Sequence, residues 1–146
     1  MISRVFLLVE DNPADVELAR LAFQRSGLSI TIDHVSDGVE ALAYLLPPSG
    51  GGTPPRDLPL LVLLDLKLPR LGGLQVLERL RAEPRTKLLP VVVLTSSSHP
   101  SDVTSSYRLG CNSYVRKPVD FARFLDMVRY LGTYWLELNE PPQELL

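Results

Sequence analysis

Cysteine is nearly missing from this chain. The one example, Cys111, excludes an intramolecular disulfide and a cysteine-only metal site, and it reads as a small buried hydrophobe opening a strand. Histidine is scarce as well: His34 and His99 have no partners at ligand spacing and read as structural or solvated. A dominant charge sign is absent. Fifteen basic against seventeen acidic residues leave a net charge of −2, which gives no reason to expect nucleic acid or an anionic membrane as a partner. No apolar run approaches the ~18 residues that a membrane span needs. The N-terminus lacks a secretory layout, because Val5 to Val9 is followed at once by two acids, so the cytosol is the expected location.

What is present is ordinary globular material: 45% hydrophobic and 22% charged residues over 146 positions, suited to one compact domain with a sizeable core. The informative stretch is Leu60-Leu61-Val62-Leu63-Leu64-Asp65-Leu66-Lys67-Leu68-Pro69. A short apolar run reads as a strand buried on both faces, the usual state of a central strand in a parallel sheet. Asp65 then falls at its carboxyl end, where open α/β sheets bind ligands.

Other strands end in the same way. Arg4-Val5-Phe6-Leu7-Leu8-Val9 runs into Glu10-Asp11, and a helix follows, with Asn12 able to cap, Pro13 at the first helical position and Asp15 complementing the dipole. Ser26-Gly27 stops that helix. Ile30-Thr31-Ile32-Asp33-His34-Val35 alternates as a half-buried strand, and Ser36-Asp37-Gly38 turns it into a short helix over about 39–46. The stretch 47–57, rich in proline and glycine, reads as a long surface loop rather than a domain linker. A helix carrying Leu74, Val76, Leu77 and Leu80 precedes a third apolar strand, Leu89-Pro90-Val91-Val92-Val93-Leu94-Thr95. Then come a helix over about 101–109, the strand Ser113-Tyr114-Val115-Arg116-Lys117-Pro118, and a last helix over about 119–136. Five β-α repeats with right-handed crossovers give an α/β fold: a doubly wound, five-stranded parallel sheet with helices on both faces.

In such a sheet Glu10, Asp11, Asp65, Thr95 and Lys117 gather along one edge. Carboxylates so close repel; at an effective dielectric of ~20 a unit pair 4 Å apart costs about 4 kcal/mol. A hard cation such as Mg²⁺ relieves that repulsion, Lys117 adds fixed positive charge and Thr95 a hydroxyl. Together they are what a phosphoryl group arriving at a carboxylate requires. Taken singly, each residue has another explanation: a turn aspartate, a dipole complement, a backbone-bonded threonine, a solvated lysine.

At this point the chain resembles the receiver domain of two-component response regulators. The motifs carrying the resemblance are Val9-Glu10-Asp11-Asn12, Leu63-Leu64-Asp65-Leu66-Lys67-Leu68-Pro69 with Gly73, Val93-Leu94-Thr95-Ser96, and Ser113-Tyr114-Val115-Arg116-Lys117-Pro118. The intervals from Asp65 to Thr95 (30), Tyr114 (49) and Lys117 (52) match the family's spacing. The resemblance implies a flavodoxin-like (βα)5 fold with strand order 2-1-3-4-5. It also implies a phosphoacceptor rather than an enzyme: Asp65 takes a phosphoryl group from the phosphohistidine of a sensor histidine kinase or histidine phosphotransfer protein, and acts in its own autodephosphorylation. Glu10, Asp11, Asp65 and the Lys67 backbone carbonyl would hold Mg²⁺. Thr95, Ser96 and Lys117 would surround the phosphoryl group, and Thr95 and Tyr114 would form the switch. The family also implies a cis peptide at Lys117-Pro118.

Leu109-Gly110-Cys111-Asn112-Ser113-Tyr114 and the 47–57 loop further resemble single-domain regulators that partner phytochrome-type sensor kinases. The expected organisation is therefore a receiver over 1–136 and a tail over 137–146, with no output domain. In the last helix Phe121, Phe124, Leu125, Val128, Leu131 and Trp135 form a core stripe. Met127, Tyr130, Tyr134 and Leu138 form a second stripe beside it, wider than one buried face requires. Receivers often dimerise through the face of their fourth and fifth helices, so this stripe is the expected homodimer interface. Two rival readings remain: a pseudo-receiver acting as a phosphorylation-independent interaction module, and an enzyme or flavin carrier on the same architecture. The intact acidic, hydroxyl and lysine positions oppose the first. Glu10-Asp11 after the first strand, which repels phosphate unless a metal intervenes, opposes the second.

Overall fold

The computed structural model describes residues 4–54 and 56–145. Five parallel strands, β1 (Val5–Val9), β2 (Thr31–Val35), β3 (Leu61–Leu64), β4 (Val91–Thr95) and β5 (Ser113–Arg116), pair in the order 2-1-3-4-5. Between and after them lie α1 (Pro13–Arg25), α2 (Gly38–Leu45), α3 (Gly73–Ala82), α4 (Pro100–Arg108) and α5 (Phe121–Thr133). The expected fold and strand order are thus observed.

Burial follows the pattern. β1, β3 and β4 occupy the middle of the sheet and are almost entirely inaccessible, whereas β2 at one edge and β5 at the other are half-buried. Alternate residues feed two cores. Leu7, Val9, Val62, Leu64, Val91 and Val93 pack against α2 and α3 through Ala41, Leu45, Val76, Leu77 and Leu80. Phe6, Leu8, Leu61, Leu63 and Val92 pack against α1 and α5 through Val16, Phe23, Phe124, Val128 and Leu131. A strand sealed on both faces cannot rotate or slip without burying polar backbone, so the carboxyl ends of β1 and β3 are rigid mounts.

Small departures from the sequence reading have local causes. The strand expected from Leu89 starts at Val91 because Pro90 has no N–H to donate; the Asn112 side chain accepts the Val91 N–H instead, at 2.8 Å. The last helix begins at Phe121, two residues later than expected, and after Thr133 continues as a π-helical turn, Tyr134–Leu138, which buries Trp135. Loop composition over 47–57 does give an irregular stretch, in which Gly50, Gly51 and Gly52 adopt positive φ. Strands from both sides of it enter the one sheet. The Arg56 guanidinium lies 4.0 Å above the Tyr44 ring, and Arg85 donates to the Leu45 and Arg56 carbonyls at 3.2 and 2.6 Å.

Between β3 and α3 the chain passes unusually close to itself. A Cβ on Gly73 would collide with the Asp65 carbonyl oxygen and lie 2.7 Å from the Leu66 Cα; a Cβ on Gly38 would collide with the Leu71 carbonyl. These obstacles are backbone and cannot swing aside. Gly73→Ala gains up to about 1 kcal/mol of helix propensity but incurs an overpacking cost of about 1–3 kcal/mol. Urea denaturation is expected to show a net loss of about 0–2 kcal/mol by that balance; raised stability would contradict the close packing.

Candidate functional site

Glu10, Asp65 and Lys117 sit just beyond the ends of β1, β3 and β5, where the ladder still fixes their backbone. Asp65 N–H donates to the Val9 carbonyl at 3.1 Å, Glu10 N–H to Val35 at 3.1 Å, and Lys117 N–H to Thr95 at 2.7 Å. His34 adds a ring-nitrogen contact to the Glu10 carbonyl at 2.7 Å, so it is structural. The Glu10 and Asp65 side chains are 3% and 11% exposed. Burial of this degree makes an unpaired carboxylate costly and demands partners.

The partner is Lys117. Its ammonium donates to Glu10 Oε1, to Asp65 Oδ2 at 3.1 Å and to Asp15 Oδ2 at 3.2 Å. Burial alone would lower the lysine pKa, but Glu10 and Asp65 outweigh it and hold the group above the ordinary lysine value. Glu10 moves the other way. Desolvation, helped by the charge on Asp65 and opposed by Lys117, pushes its carboxyl up to about 7. Its second oxygen accepts the Asn12 N–H at 3.2 Å, and Asp65 Oδ1 accepts the Lys67 N–H at 3.3 Å.

Glu10, Asp11 and Asp65 each present an oxygen within 4.8 Å of the others. Asp11 is the exposed member, and Asn12 behind it caps α1 by accepting the Ala14 and Asp15 N–H groups at 2.9 and 3.2 Å. All-oxygen, anionic and open on one side, the set suits a hard divalent cation that keeps part of its water shell.

Thr95 is buried at the end of β4, and its hydroxyl accepts the Ser97 N–H at 3.4 Å. Ser96 is exposed beside it. Tyr114 donates its phenol to the Ser97 carbonyl at 2.8 Å, and Ser97 donates its hydroxyl to Asp102 in the first turn of α4 at 2.5 Å. One residue, Ser97, therefore joins the two expected switch residues to a helix. Lys117–Pro118 differs from the family expectation: among the described residues every peptide bond is trans. The energetic gap between X–Pro isomers is only about 0.5–1 kcal/mol, so local packing decides.

The second α5 stripe is half open. Tyr130, Tyr134 and Leu138 are exposed and Met127 is half-buried; the first two border a groove of about 840 Å³ with Val115 and Trp135.

Three contributors escaped the sequence reading. Asp15, read as a dipole complement, reaches Lys117. Arg70, in the left-handed region at φ 65°, clamps Asp37 with two bonds of 2.8 and 3.2 Å and ties the β3–α3 loop to the start of α2. Ser97 is the third. Asp15 and Arg70 carry no local signature, because their partners lie 102 and 33 positions away.

Comparison with known proteins agrees with the geometry. The family profile described as response regulator receiver domain matches residues 6–129. The probable methanogenesis regulatory protein FilR2 of Methanothrix harundinacea is 41% identical over 94% of this chain and 87% of its own length. The crystal structure of the phosphorylated cyanobacterial phytochrome response regulator RcpA superposes with a TM-score of 0.86 at 35% identity, covering 97% of this chain and 99% of that one. The Mn²⁺-bound form of response regulator Rcp1 gives a TM-score of 0.81 at 37% identity, covering 95% and 99%.

A carboxyl that protonates near 7 competes with a cation for the same oxygens. Glu10 could hold a cation only when ionised, so if it is a ligand Mg²⁺ affinity is expected to rise by several-fold between pH 6 and 8 and to level off above. Calorimetric titration at both ends checks this, and Glu10→Gln should bind weakly with a flatter pH response. Affinity that is flat or falls with pH would refute the assignment.

Proposed function

This chain belongs to the response regulator receiver domain family, and from that membership we propose that Asp65 is its phosphoacceptor and that phosphorylation resets a protein-interaction surface. The observation carrying this reading is the Asp65 carboxylate, mounted on a buried strand and 3.1 Å from the Lys117 ammonium, with Glu10 and Asp11 oxygens clustered beside it.

An Asp65 oxygen attacks the phosphorus of a histidine kinase's phosphohistidine; the new P–O bond forms as the P–N bond breaks and the imidazole departs. Glu10, Asp11 and Asp65, with the Lys67 carbonyl, would hold Mg²⁺, which neutralises charge on the phosphoryl oxygens when bound. Lys117 orients a phosphoryl oxygen by its N–H groups, and the Thr95 hydroxyl donates to another. Turning toward the phosphoryl group, Thr95 releases the Ser97 N–H, and Ser97 passes the change to Tyr114 and to α4 through Asp102. The protein's surface thus reports a two-state equilibrium biased by one covalent group. Loss of the phosphoryl group to water closes the cycle. Similarity to RcpA and Rcp1 supports a sensor kinase of the phytochrome type as donor.

A homodimer through the α4 and α5 face is the quaternary state that the exposed second stripe of α5 supports. Tyr130 and Tyr134 are rigid, amphipathic side chains of the kind enriched in interfaces, and they stand beside the groove. Sedimentation velocity at tens of micromolar is expected to show a dimer that Tyr130→Glu converts to monomer. A concentration-independent monomer, phosphorylated or not, would sink the dimer.

The phosphoacceptor role is tested by incubating the protein with Mg²⁺ and acetyl phosphate and measuring intact mass. One phosphate-sized gain is expected, abolished by chelation and by Asp65→Asn. No gain in protein shown to bind Mg²⁺, or a gain that survives Asp65→Asn, would overturn it.

A further inference from the structure

An ammonium has three N–H donors and no more. In Lys117 all three are taken: by Glu10, by Asp65 and by Asp15, the last two at 3.1 and 3.2 Å. The lysine is saturated before any phosphoryl group arrives. Its three acceptors are not equivalent. Glu10 and Asp65 belong to the oxygen cluster that fits a divalent cation, whereas Asp15 does not. Asp15 is also the most open of the three, its side chain 41% exposed against 3% and 11%. It stands in the first turn of α1, on a backbone capped by Asn12, so its position is fixed independently of the cation cluster. A cation drawing on Glu10 and Asp65 leaves Asp15 as the carboxylate still free to hold the lysine.

We propose that Asp15 is a positioning residue that acts through Lys117, holding the ammonium as a counter-anion and thereby slowing phosphorylation of Asp65. The proposal rests on the reading of Asp65 as phosphoacceptor. Two consequences of the geometry act in the same direction. Asp15 occupies an N–H that a phosphoryl oxygen needs, and its own negative charge faces an anionic donor at the open side of the site. Neither consequence requires Asp15 to touch the reacting atoms. Helix-dipole complementation, the simpler role for a first-turn aspartate, predicts a small change in stability and none in the phosphorylation rate.

The test compares wild type, Asp15→Asn and Asp15→Glu under saturating Mg²⁺, with acetyl phosphate as donor and intact mass as the rate readout. Asp15→Asn keeps the size and an acceptor oxygen but removes the charge. It is expected to phosphorylate about three- to ten-fold faster than wild type. Asp15→Glu restores the carboxylate and is expected to stay within two-fold of wild type. Thermal unfolding of each variant verifies folding. An Asp15→Asn rate equal to or below wild type would overturn the proposal while leaving Asp65 as acceptor. So would an acceleration shared by Asp15→Glu, which would trace to helix perturbation rather than charge. A wild-type protein that gains no phosphate contradicts the underlying reading itself and removes the proposal with it.

Discussion

A single ammonium clasped between carboxylates from two other strands is the constraint on which this molecule turns. Lys117 follows β5, Glu10 follows β1, and Asp65 follows β3; no pair of them is close in sequence. Only a parallel sheet places three such ends along one edge. The burial of β1, β3 and β4 can be understood from that requirement, because a buried carboxylate–ammonium cluster tolerates little drift in any member. Removing the lysine would leave desolvated carboxylates facing one another. That is a larger penalty than the loss of any surface ion pair, such as Arg129–Asp126 on the exposed side of α5.

The cluster is poised, not neutral. Glu10, Asp15 and Asp65 share one lysine, and burial of Glu10, helped by the charge on Asp65, pushes its carboxyl up to about 7. A divalent cation would relieve that excess of negative charge by meeting the carboxylates, and would leave the ammonium to meet a phosphoryl oxygen. The elements that would register the change are already linked. Ser97 contacts Thr95 by its N–H, Tyr114 by its carbonyl and Asp102 by its hydroxyl, so an event at the strand end has a short bonded route to α4.

Much of this was legible in the sequence, for identifiable reasons. Strands sealed on both faces are uninterrupted apolar runs, and residues such as Asp65 and Glu10 announce themselves by ending those runs. Parallel connectivity then groups the strand ends without further information. What escaped was whatever depends on approach between loops. Asp15 looked like dipole chemistry because its partner lies 102 positions away. Arg70 and Asp37, 33 positions apart, meet only because the backbone at Arg70 turns left-handed, and nothing in Leu68-Pro69-Arg70-Leu71 marks that turn. Trp135, read from helical spacing as part of the core stripe, is buried as expected, but in a π turn that runs to Leu138, past the expected end of the last helix, a change of winding with no periodic signal.

The central claim is that the Lys117 and Thr95 side chains converge on a phosphoryl group borne by Asp65. The most direct measurement is a crystal structure grown with Mg²⁺ and beryllium fluoride, a stable stand-in for that group. The account predicts the adduct on the Asp65 carboxylate, the cation on Glu10 and Asp11, and Lys117 Nζ and the Thr95 hydroxyl each about 3 Å from the adduct's fluorines, normal hydrogen-bond distance. An adduct on another residue, or one on Asp65 with Lys117 still spanning Glu10 and Asp15 and Thr95 still turned to Ser97, would contradict it.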